Sequence, residues 1–228
     1  MVRLCTWTVC AALLAGTVVW ADRYAQFPGP TIDGSTLRFK EKVEDIYASG
    51  NHERALLIYQ KELAPRGDKY AQYMTGYMHL HGQGVVADPA AALAWYRLAA
   101  ERGEPKFIAA RDTLASSLDE AERARADELF AALWKQHGDR RIVLDLIEED
   151  LAILRHSAVG RRDGAGAGLA SGYAGQAANP YHQRVRSDLE ARLAWLDAAP
   201  PVPEQVDGAE LLAREVELRR EAKALRLP

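Results

Sequence analysis

Six histidines and a run of alternating glycine and alanine are the parts of this 228-residue sequence that invite a chemical reading. His79 and His81 stand one residue apart, a spacing that on a helix turns the two rings about 200° from each other. One ion cannot be shared between them unless the helix unwinds, so packing is the expected role of His79. No His-Glu-x-x-His occurs, and both cysteines, Cys5 and Cys10, lie near the start of the chain. No Ser is followed three positions later by Lys, and Gly-x-Ser-x-Gly is absent, so two nucleophilic-serine patterns are missing. The run from Gly164 to Gly168 lacks the third glycine, the preceding apolar strand and the Lys-Ser/Thr ending of a phosphate loop. It reads instead as linker. Glu148-Glu149-Asp150 reads as a solvated helix face. The expectation is a chain without catalytic, cofactor or metal residues. A carboxylate pair brought together from separate helices would leave no such trace in sequence.

If the chemistry is not in motifs, it must lie in surfaces, and the stretch from Ala71 to Gly103 says most about those. Tyr73, Met74, Tyr77 and Met78 recur at helical intervals and predict one apolar stripe. Gly82 and Gly84 stop that helix, because glycine takes positive φ without strain. Asp88 is a good N-cap, and Pro89 is tolerated at the first helical position, where its missing N–H is no loss. Ala92, Trp95, Tyr96, Ala99 and Ala100 then share neighbouring faces of a second helix, which predicts a helix hairpin with Trp95 wedged between its arms.

The residues Ala71, Gly76, Gly82, Gly84-Val85, Asp88, Ala92, Trp95-Tyr96, Ala99-Ala100 and Gly103 closely resemble the Sel-one-like repeat, a relative of the tetratricopeptide repeat. Three positions depart from that pattern: His79 stands where the family has Tyr, Thr75 where it has Leu, and Leu98 where it has Lys. The resemblance implies an all-α fold, a short right-handed α-solenoid of helix-turn-helix units that binds other proteins and does no chemistry of its own. It also implies that the first helix of each pair lines the concave side. Tyr70, Tyr73, Tyr77, Leu80 and His81 would then face an open groove, where amphipathic aromatics suit a protein or peptide partner. The competing reading packs these tyrosines against the neighbouring repeat.

The rest of the chain divides around this unit. Residues 1–21 open with Met1-Val2-Arg3, continue without charge from Leu4, and end in Val19-Trp20-Ala21, the pattern of a cleaved secretory signal peptide. The competing reading is an uncleaved anchor helix. Cleavage would remove both cysteines, and losing Arg3 would make the net charge one unit more negative than −3. A mildly acidic chain with mixed signs argues against nucleic acid as a partner, and no later run is apolar enough for stable membrane insertion.

Residues 22–35 read as an extended leader, held out of helix by Phe27-Pro28-Gly29-Pro30. Residues 36–156 read as the repeat solenoid with capping helices. Within them a degenerate first repeat runs to Gly67, and Asp119 with Glu122 forms a capping arrangement. A helix from Arg140 to His156 should pack on the end of the array. Residues 157–180 read as a flexible Gly/Ala-rich linker, and residues 181–228 as C-terminal helices. Leu211, Leu218 and Leu225 recur at heptad intervals in the last helix, a candidate for docking or weak self-association.

Together these features point to an exported helical-repeat protein, periplasmic in a bacterial envelope, that acts as an interaction or assembly adaptor. The alternatives are an envelope enzyme or non-catalytic enzyme subunit acting on cell-wall material, and a structural subunit joined through its tail helices.

Overall fold

Short polar side chains start most of the helices, and left-handed glycines end several of them. The computed structural model describes residues 27–31, 33–163 and 180–225, with backbone alone for 157–163, and among these residues there are helices and turns and no strand. The expected signal segment, and the part of the expected linker over 164–179, lie outside the described residues. No helix among the described residues is long and apolar enough to cross a membrane.

Helix α1 spans Gly34–Ala48, and Asp33 caps it by accepting the Thr36 N–H at 2.7 Å. Helix α2 spans His52–Ile58 under an Asn51 cap, widens into a π-helical turn over Tyr59–Leu63, then tightens to a 3₁₀ turn over Ala64–Arg66 before Gly67. Helix α3, Lys69–His81, is capped by Asp68, whose Oδ1 lies 2.9 Å from the Ala71 nitrogen. Helix α4, Pro89–Ala99, is capped by Asp88 and ends in a short turn, Ala100–Arg102, before Gly103. Gly67 and Gly103 both take φ of +77° after a one-turn 3₁₀ segment, so the first two helix pairs close in the same way.

Helix α5 spans Pro105–Ser117, and α6 spans Glu120–His137 behind a complete capping box of Asp119 and Glu122. Helix α7 covers Asp139–Asp163, α8 Pro180–Ala198, and α9 Ala209–Ala224. The pairs α1/α2, α3/α4 and α5/α6 make a short helical array, followed by a three-helix C-terminal part.

Helix α4 sits at the centre. Eight of its eleven residues are buried, as expected for a helix apolar all round. Gly76 lets α3 approach it, because a Cβ there would stand 2.7 Å from Tyr96 and 3.0 Å from the Ala92 carbonyl. Gly84 does the same for the α3–α4 turn, which meets the start of α2 at His52 and Glu53.

Four readings of the sequence change here. Tyr96, not Trp95, is the residue against Gly76; Trp95 instead joins a core with Ala64, Phe130, Trp134 and the helices beyond. Adjacent helical positions differ by about 100°, so the two rings enter different cores beside α4. Helix α1 begins at Gly34, inside the stretch read as leader, because Asp33 supplies its cap. Helix α7 continues to Asp163, seven residues into the stretch read as linker. The Leu211 and Leu218 seam is buried in the core shared with α7 and α8, so it is spent inside the chain and is not free for self-association.

Candidate functional site

Helix α3 presents a ladder of rings at helical intervals. Tyr70 and Tyr73 have centroids 6.5 Å apart, Tyr73 and Tyr77 also 6.5 Å, and Tyr77 meets the His81 ring at 4.3 Å. Helix α5 crosses in front of the lower part of this ladder. Between them lies an open groove of about 630 Å³, with Tyr73, Tyr77, Leu80, His81 and Tyr96 on one side. The other wall is Ala109, Ala110, Thr113, Leu114 and Ser117. Short side chains on α5 leave Tyr77 partly exposed and His81 exposed, while Tyr96 stays buried, and no carboxylate, ammonium or guanidinium lines the groove.

The five residues expected in a groove therefore separate. Tyr77, Leu80 and His81 line it. Tyr73 lines it too, but also stacks on Tyr96 at 5.2 Å and 15° and meets Phe107 at 5.3 Å. Both readings of the tyrosines thus hold at Tyr73, which is wall and core together. Tyr70 does not line the groove; it is 43% exposed and sits at the end of the ladder against Tyr59. Its hydroxyl is pushed up in pKa by burial and by the Glu44 carboxylate, which also accepts the Tyr59 hydroxyl at 2.8 Å. Burial, then Tyr73 and Tyr77, raises the Tyr96 pKa as well. The groove floor is neutral and aromatic, with hydroxyls at its edge.

His79 points elsewhere than His81. Both its ring nitrogens are buried without a hydrogen-bond partner, and burial lowers its pKa against the pull of Asp88. Among the described residues no group of three or more His, Cys, Asp or Glu is placed to hold a metal.

Sequence reasoning missed the cluster that holds the groove's framework. Lys69 Nζ lies 2.8 Å from Glu101 Oε2 and 3.0 Å from Asp139 Oδ1, and donates to the Leu98 carbonyl at 3.0 Å. Arg102 donates twice to Asp139, at 2.8 Å each, and once to the Gly67 carbonyl at 2.9 Å. Trp134 Nε1 donates to Glu101. Asp139 is fully buried and ordinarily would resist ionisation, yet Lys69 and Arg102 hold its pKa below the usual value; burial raises that of Glu101. This network ties the start of α3 and the end of α4 to the start of α7. It has no local signature, because its members are far apart in sequence.

The α3/α4 pair thus carries one wall of an uncharged aromatic groove and is pinned from behind by buried ions. No solved structure matches the chain. The matching family model covers this pair itself: residues 69–104 are a Sel1 repeat.

Proposed function

We propose that the chain is a protein-interaction or assembly adaptor that holds an extended, apolar peptide segment of its partner in the α3–α5 groove. The observation that supports this is the groove itself, a half-buried aromatic lining without a carboxylate, ammonium or guanidinium, on a Sel1 repeat. Repeats of this kind generally mediate protein binding. Tyrosine and histidine rings bury large area with few rotatable bonds, and a few such anchors dominate peptide affinity. A charged segment would be desolvated there without a partner, which disfavours it.

The adaptor is placed in the bacterial periplasm, following export by the signal-like segment 1–21. The expected mature protein begins at Asp22, and mass spectrometry of envelope-derived protein reads that terminus. An intact Met1 would favour an anchor instead. The binding role is tested by capture from an envelope extract, comparing the wild type with Tyr77→Ser/His81→Ser. Equal capture by the two would remove the groove from the account.

A further inference from the structure

The ring ladder of α3 continues past the groove to a carboxylate. Tyr70, one step of 6.5 Å beyond Tyr73, is 43% exposed and ends the ladder where α1 approaches. Glu44, on α1, is exposed there, and its Oε1 accepts the Tyr59 hydroxyl at 2.8 Å. Tyr59 is fully buried and opens the π-helical turn of α2. Turns of this kind are rare and recur at functional sites. A buried phenol therefore fixes a surface carboxylate beside an exposed ring.

The charge on Glu44 is not matched within the chain. Lys40, one turn earlier on α1, is paired with Asp68 at 2.6 Å. Glu44 itself has no ion-pair partner among the described residues. The ladder thus passes from a groove without carboxylate, ammonium or guanidinium to one unmatched negative charge.

A cation suits this end for two reasons. The face of a tyrosine ring attracts positive charge, and a fixed carboxylate adds a charge-assisted hydrogen bond. Guanidinium does both at once, because it is planar, stacks on rings and is more weakly hydrated than an ammonium. The spacing suits a peptide as well, since 6.5 Å is about two residues of extended chain.

We propose that the peptide held in the aromatic groove carries an arginine at its α1 end, about two residues beyond the side chain over Tyr73, paired with Glu44 and stacked on Tyr70. The inference rests on the groove reading and adds the partner's chemistry to it: an apolar run flanked by one basic residue. The guanidinium lies outside the groove, so the apolar run within it is not interrupted.

The test is selection of a random-peptide phage library on the full chain. The expected result is apolar runs with arginine at one end. The arginine preference should be lost on Glu44→Gln, whose amide oxygen still accepts the Tyr59 hydroxyl. A selected peptide, synthesised with both ends blocked, should bind Glu44→Gln about fivefold more weakly than wild type. Its analogue with glutamine in place of arginine should bind the two proteins equally. Tyr70→Leu should likewise weaken only the arginine peptide, and it serves as a second reading if Glu44→Gln disturbs α1. Apolar runs without arginine would overturn this inference and leave the groove standing. Acidic peptides, or an arginine preference that survives both variants, would overturn it as well. No apolar enrichment, or the same selection on Tyr77→Ser, would overturn the groove reading and this inference with it.

Discussion

Tyr73 stacks on Tyr96 at 5.2 Å with their planes 15° apart, while Tyr77, one turn later, has its nearest ring partner in the half-free His81. Two tyrosines on one stripe of one helix therefore do different work. Tyr73→Ser should destabilise the fold by about 2 kcal/mol or more, short of the 3–5 kcal/mol seen for fully buried aromatics. Tyr77→Ser should cost under about 1 kcal/mol, nearer the surface scale. Paired thermal melts check this, and equal losses would mean that both rings belong to the core.

Trp95 is buried against Ala64, Phe130 and Trp134 and stacks beside His137 at 5.9 Å. Truncation to Ala should cost about 3–5 kcal/mol. Chemical denaturation measures it. A loss below about 0.5 kcal/mol would contradict its place in the core.

The Lys69 cluster should be sensitive in one direction. Lys69→Met strands the Glu101 carboxylate in a buried site and should cost about 3–5 kcal/mol. Arg220→Met, which breaks an exposed pair with Glu217 at 3.4 Å, should cost less than about 1 kcal/mol. Comparable losses in the two variants would show that burial is not what gives the cluster its weight.

Acid stability should depend on His79 and His137. Burial lowers both pKa values below 6.5, so between the folded and unfolded values the unfolded chain binds more protons. Stability is therefore full above about pH 6.5 and is lost as pH falls through that window. Glu101, with a raised pKa, works in the other direction from 4.5 upward, so the readout is a difference. His79→Leu should flatten the acid-side slope of melting temperature against pH. An unchanged slope would mean that the imidazole is solvated in the fold.

Much of the array was legible locally. Gly82, Gly84 and Asp88-Pro89 each carry their turn or cap in their own chemistry, and Asp119 with Glu122 spells out a capping box. The stripe of Tyr73 and Tyr77 was legible as a stripe, but periodicity cannot tell which ring meets Tyr96 and Phe107. The second groove wall was silent, because Ala109, Ala110, Thr113 and Ser117 matter through their smallness and carry no pattern. The stretch 157–180 reads as linker by composition, yet a single glycine such as Gly160 costs a helix only about 1 kcal/mol, and α7 runs past it to Asp163. The heptad leucines of α9 gave the right face and left the partner open, since a seam packs equally well on another helix of its own chain.

The groove account is tested most directly by photocrosslinking with a probe residue placed at Thr113, on the α5 wall, or at Ala124, exposed on α6 away from the lining residues. With an envelope extract, the account predicts a crosslinked partner from Thr113, abolished by Tyr77→Ser, and none from Ala124. Crosslinks from Ala124 alone, or from Thr113 undiminished by Tyr77→Ser, would contradict it.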